Sequence, residues 1–246
     1  MQPVYQRNKV LQNIEVAPGI YRLSLEGLFS GKPGQFYMLR AWDIHPLLSR
    51  PLSIHDMDGE KIDFLYEAKG RGTRLLAGLR PGDILEMLGP LGNGFDAGSI
   101  GGKVALVSGG IGIAPLLYAA KSITGASIDL YAGFRDRAYI LDRFERFVSR
   151  IYVATDSGID GVKGFVTDLF NPKGYSAVLC CGPEIMMEKV AKKCMEENVP
   201  VYLSMERHMA CGVGACLVCT CPTKDGNKRV CRDGPVFSGR EVIFNA

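Results

Sequence analysis

Four cysteines stand at a spacing that binds iron and sulfide. Cys211, Cys216 and Cys219 follow a C-x4-C-x2-C pattern, and Cys231 comes after eleven intervening residues, the arrangement that holds 2Fe-2S clusters of the plant type. Each iron takes two protein sulfurs besides the bridging sulfides, so three thiolates in a tight loop and one distant thiolate complete the set. Gly212 and Gly214 let the backbone curl closely enough for its amides to reach sulfur. Cys221 falls outside the spacing and reads as a bystander. Structural zinc is the alternative, but zinc sites pair closely spaced knuckles rather than three clustered ligands and a distant fourth.

A second group of residues suits a dinucleotide. Val104 to Pro115 reads as a strand entering a glycine-rich turn and a helix, with Gly109, Gly110 and Gly112 offering backbone amides and a positive helix end to a pyrophosphate. The turn departs from G-x-G-x-x-G, and tight packing is the structural alternative. Cys181, Gly182 and Pro183 form another small-residue turn after a later strand, where ligands of open sheets gather. Cys181 could abut a nicotinamide ring or be a packed core thiol. In Gly133-Phe134-Arg135-Asp136, Asp136 would suit NAD and Arg135 NADP, so the residues leave that choice open.

A third group suits a flavin. Arg50, Pro51, Leu52 and Ser53 precede Tyr66 and Glu67, and Gly72 and Thr73 follow. Guanidinium, hydroxyl and glycine amides together match a flavin pyrophosphate. Each piece alone is more often an ordinary turn or a packed ring, and the order of the pieces carries the assignment.

The elements that must position these groups differ along the chain. Residues 1–100 contain short alternating runs such as Gln35 to Leu39 and Lys61 to Tyr66, punctuated by Pro33-Gly34, Asp58-Gly59 and Pro81-Gly82, as in an antiparallel β-barrel. Residues 101–206 alternate apolar runs with helical stretches, which predicts a doubly wound parallel sheet. Its strands are expected at 104–108, 128–132, 151–154, 177–181 and 201–204, with helices at 115–122, 141–148 and 184–197. Residues 207–246 are rich in Cys, Gly and Thr and too short for a core of their own. A metal centre would hold them together.

Composition narrows the function classes. With 47% hydrophobic and 22% charged residues, the chain is neither fibrous nor disordered. A net charge of +3 without a basic stripe argues against nucleic acid as a partner. The uncharged run from Val104 to Ala120 is short for a bilayer span and is broken by Gly and Pro, so no membrane role is expected. The N-terminus lacks the apolar stretch of a signal peptide, and eight cysteines without export point to metal or redox use in the cytoplasm.

In the order of its parts the chain resembles the ferredoxin reductase superfamily. More narrowly, Glu206 to Cys219 and Arg229 to Phe237 resemble the electron-transfer subunits of B-type dihydroorotate dehydrogenase. The resemblance spans essentially the whole chain. It implies FAD at Arg50–Ser53, Leu65–Glu67 and Gly72–Thr73, a 2Fe-2S cluster on the four cysteines, and NAD as electron acceptor. It also implies a separate FMN-containing catalytic subunit that oxidises dihydroorotate, in a heterotetramer of two plus two. Ser108 stands where a glycine is more usual before Gly109. The rivals are a reductase subunit serving ferredoxin, a hydrogenase or a sulfur reductase, and a zinc-stabilised regulatory module.

Overall fold

The structure is a computed structural model that describes residues 2–244 of the chain. Six antiparallel strands close a barrel in the order β1-β2-β5-β4-β3-β6: β1 (Val4–Ala17), β2 (Ile20–Glu26), β3 (Phe36–Arg40), β4 (Arg50–Met57), β5 (Lys61–Glu67) and β6 (Ile84–Leu91). Alternation fills its interior with Leu23, Leu25, Tyr37, Leu39, Ile54, Ile62, Phe64 and Tyr66. On β5 the outward residues Asp63 and Leu65 are buried as well, because the second unit of the molecule covers that face. A short helix, α1 (Arg71–Ala77), follows β5.

The second unit is a seven-stranded sheet in the order β10-β9-β8-β7-β11-β12-β15. Its parallel strands are β7 (Gly102–Gly109), β8 (Ala126–Phe134), β9 (Arg150–Thr155), β10 (Val162–Lys163), β11 (Ala177–Cys181) and β12 (Val201–Ser204). Helices α2 (Leu116–Ser122), α3 (Val166–Leu169) and α4 (Glu184–Glu196) lie between them. Strand order reverses at β7, and the crevice outside the carboxyl ends there is where such sheets bind ligands. The chain thus joins an antiparallel barrel to a doubly wound parallel sheet.

Two expectations need correction. The helix expected at 141–148 is only a 3-10 turn at Leu141–Arg143, because Ile140 takes a left-handed conformation and Arg143 and the buried Phe144 are committed to tertiary contacts. The C-terminal segment also does not depend on metal alone. Its hairpin, β13 (Thr220–Thr223) with β14 (Gly226–Arg229), is followed by β15 (Val236–Ser238), which pairs antiparallel with β12. Cys219, Cys221, Val230, Cys231 and Phe237 share one apolar cluster with Phe36, Met38 and Leu91 of the barrel and with Met187, Leu203 and Met205 of the sheet unit. Burial against two neighbours replaces the core that a short segment cannot build for itself.

Candidate functional site

The cysteine loop is wedged between barrel and sheet. Gly212, at φ 72°, presses on the barrel so closely that a Cβ would stand 2.8 Å from Met38, and Gly214, at φ 83°, is also left-handed. These turns aim amides inward. The Gly214 N–H donates to the Cys231 sulfur at 3.1 Å, and the Cys231 N–H donates to the Cys219 sulfur at 3.4 Å. Arg229 Nη1 donates to the Gly214 carbonyl at 3.2 Å and its Nε to Asp233 at 3.1 Å, which pins the distant ligand to the three-ligand loop.

The four sulfurs sort into two pairs. Cys219 and Cys231 are buried, Cys211 is half-buried and Cys216 is exposed. Burial works against the Cys211 thiolate, but amides of Cys216, Val213 and Ala215 together with the Cys216 thiol outweigh it and bring the thiol down to about 6. Burial first, and then the adjacent Cys219, push Cys231 up to about 12. Among the described residues no three His, Cys, Asp or Glu side chains converge on a single ion. Two thiol pairs with amides aimed at sulfur are the donor set for two bridged irons, so these residues fit a 2Fe-2S cluster. Cys221 is buried, with Pro222 as its contact.

The flavin candidates lie on β4, the end of β5 and α1. A Cβ on Gly72 would stand 2.5 Å from Arg50 Nε, so the structure brings together Arg50 and Gly72, which are 22 positions apart in the chain. The Arg50 guanidinium also sits 5.5 Å from the Trp42 ring centre, and the Gly70 N–H donates to Thr73 Oγ1 at 3.0 Å. A fixed cation beside bare glycine backbone fits a pyrophosphate. The Tyr66 ring points into the barrel with its hydroxyl donating to Asn13, so it is a packed ring. In register, Pro51 pairs with Met38 and Ser53 with Phe36. Met38 thereby links the flavin strand to Gly212, a role the sequence signalled only as one position in an alternating run.

The nucleotide candidates also meet. Gly112 packs on the turn after β11, where a Cβ would lie 2.3 Å from the Cys181 carbonyl, and Gly182 approaches the Gly109 amide. Gly110, at φ 55°, faces open space. Cys181 is 2% exposed, its thiol is raised by burial, with the Glu206 charge adding to this and a bond to Ser204 opposing it. Arg135 and Asp136 are exposed beyond β8. Sequence reasoning gave Glu206 no site role; it is exposed just after β12. Its charge acts on the Cys181 thiol, a long-range relationship with no local signal.

The family described as the iron-sulfur cluster binding domain of dihydroorotate dehydrogenase B matches residues 206–243. Over 245 residues, covering 100% of both chains, the protein is 55% identical to the dihydroorotate dehydrogenase B (NAD+) electron transfer subunit of Clostridium acetobutylicum. It is 49% identical to that of Clostridium perfringens, covering 98% of each. Among solved structures, the NADH-dependent reduced ferredoxin-NADP oxidoreductase studied for flavin-based electron bifurcation is 29% identical, covers 96% of this chain and 89% of its own, and superposes with a TM-score of 0.86. The ferredoxin reductase of carbazole 1,9a-dioxygenase, at 20% identity and a TM-score of 0.72 over 82% of this chain and 69% of its own, shares the fold.

Proposed function

Because the chain belongs to the electron-transfer subunits of NAD-dependent dihydroorotate dehydrogenase B, we propose a division of labour among its residues. It is an oxidoreductase subunit that works with 2Fe-2S, FAD and NAD. When bound, the cluster supplies single-electron transfer, and FAD converts between that and hydride exchange with NAD.

In this reading Cys211, Cys216, Cys219 and Cys231 hold the irons, and the Gly214 amide stabilises the sulfur of Cys231. Arg50, Pro51, Leu52, Ser53, the backbone of Leu65–Glu67, Gly72 and Thr73 bind FAD. Gly109, Gly110 and Gly112 take the NAD pyrophosphate, and Cys181, Gly182 and Pro183 close the nicotinamide end. The corresponding units are residues 1–100, 101–206 and 207–246. The observation that carries the reading is Met38, which pairs with Pro51 of the flavin strand and touches Gly212 beside Cys211. Met38 thus ties the proposed flavin strand to the proposed cluster loop.

The exposed Cys216 is surrounded in sequence by exposed Val213, Leu217 and Val218. An apolar rim around the outer thiol pair suits docking of a catalytic subunit, which we propose carries FMN, oxidises dihydroorotate and assembles with this chain two plus two. No described helix is long and apolar enough to cross a membrane, and we place the complex in the cytoplasm. Copurification with an FMN-containing partner and dihydroorotate-dependent NAD reduction by the complex test this reading. Dihydroorotate oxidation at full rate by this chain alone, loaded with FAD and cluster, would overturn it.

A further inference from the structure

The C-terminal segment grips the barrel at Phe36, Met38 and Asn93. A separate, polar contact joins the barrel to the sheet unit at β4 and β5. Asp56 and Asp63 stand directly opposite one another on these strands, an arrangement in which like charges repel. Four cations offset that repulsion. Arg22 and Lys61 come from the barrel and reach Asp63 at 3.0 and 3.3 Å. Lys121, from α2, bonds Asp56. Arg143 alone spans both carboxylates, with Nη2 at 2.8 Å from Asp56 and Nη1 at 3.0 Å from Asp63.

The segment that carries Arg143 begins beside the nucleotide crevice. It leaves β8 at Phe134, places Tyr139 against that ring at 4.7 Å, turns through the left-handed Ile140 and ends on the two aspartates. Glu67, in the flavin stretch, lies close enough to act on the Tyr139 hydroxyl. One strap of residues 135–143 thus connects the end of β8 with the barrel face that backs the flavin strands. A cavity of about 410 Å³ lined by Val16, Arg22, Ile140, Asp142 and Arg143 lies against the joint. Water therefore reaches the guanidinium at the edge of the joint, whose apolar part is Ile20 and Leu65 of the barrel in one cluster with Ile113 and Leu116 of the sheet unit.

We propose that Arg143 is a positioning residue for hydride exchange: by bridging Asp56 and Asp63 it sets the angle at which the nucleotide unit meets the flavin barrel. The proposal rests on the reading of the flavin and nucleotide sites given above. Hydride transfer depends steeply on approach, and a misplacement of about 1 Å can cost up to ~100-fold in rate. A lysine keeps the charge but lacks the fork that spans two carboxylates.

The test uses the complete chain with FAD and cluster, comparing Arg143→Gln, Arg143→Lys and Asp56→Asn with the unaltered protein. Four quantities are read: FAD content by absorbance, ADP-ribose affinity by calorimetry, hydrogen exchange of residues 135–143, and the rate of flavin bleaching at saturating NADH, where hydride leaves the nicotinamide to give NAD and reduced flavin. In Arg143→Gln, ADP-ribose affinity and FAD content are expected to stay within about two-fold, exchange to rise, and bleaching to slow by ~10-fold or more. Arg143→Lys should recover only part of the rate. Bleaching at the unaltered rate overturns the proposal, as does a slowing matched by an equal loss of FAD or ADP-ribose binding. If Arg143→Gln does not fold, the same outcomes are read on Asp56→Asn. Failure of the unaltered chain to bind ADP-ribose overturns the nucleotide-site reading instead. In that case unchanged exchange in Arg143→Gln overturns the joint as well.

Discussion

Met38 stands between Gly212 and Pro51: its side chain touches the glycine beside Cys211, and its backbone pairs with the proline of the flavin strand. Strand β3 therefore lies between the proposed flavin strand β4 and the proposed cluster loop, and damage to either site should be separable from the other.

Cys231→Ser should remove one of four thiolates and leave less than the two irons per chain of a full cluster. Cys221→Ser should keep iron and acid-labile sulfide at the level of the unaltered protein. Iron and sulfide analysis with the visible spectrum of anaerobically prepared protein checks both, and iron loss from the Cys221 variant would make that thiol more than a bystander.

Arg229 ties the Gly214 carbonyl to Asp233, so Arg229→Gln should loosen the loop whose amide points at Cys231. Exchange of the Gly214 amide should speed up and the cluster's midpoint potential should shift, while FAD content stays unchanged. Hydrogen exchange and a redox titration followed by electron paramagnetic resonance measure the two effects.

Arg50→Ala should weaken FAD binding by about ten- to a hundred-fold, the worth of hydrogen bonds from a charged donor. The cluster should be unaffected. Gel filtration followed by flavin absorbance measures retention, and Arg50→Lys should rescue only part of it because the guanidinium fork is lost.

Gly112→Ala would put a Cβ within 2.3 Å of the Cys181 carbonyl and should force the two nucleotide turns apart. Overpacking of this kind costs about 1–3 kcal/mol, so ADP-ribose affinity should fall by about five- to 150-fold with FAD content unchanged. Calorimetry decides it.

His55 is fully buried and donates from Nδ1 to the Ala114 carbonyl at 2.8 Å. Burial, aided by the Arg143 charge, lowers its pKa from 6.5 to about 4. The folded protein therefore resists a proton that the unfolded chain accepts below pH 6.5. Stability is complete above that pH and falls as the pH drops towards 4, by about 3 kcal/mol from this group. His55→Asn, which keeps a donor near Nδ1, should flatten that window in denaturant melts between pH 7 and 4.

The iron-sulfur segment, the barrel strands and the parallel strands were legible because their signals are local: cysteine spacing, two-residue alternation and short apolar runs. The stretch after β8 was misread because Leu141, Phe144 and Val148 recur at helical intervals, while a left-handed Ile140 and the reach of Arg143 to two aspartates decide its course. Asp56 and Asp63 are ordinary strand residues in sequence. Only register places them opposite each other. The return of Val236–Ser238 to the sheet was hidden for the same reason, since a three-residue strand earns its place through the neighbour it finds.

That return has an architectural meaning. Ser204, where β12 ends, pairs with Val236, where β15 begins, so the intervening polypeptide leaves and re-enters the sheet one strand spacing apart, about 5 Å. To the rest of the fold it is the tip of an oversized hairpin. A flavin reductase could gain, lose or exchange such an electrical terminal without rewinding a single parallel strand, because the excursion closes on its own point of departure.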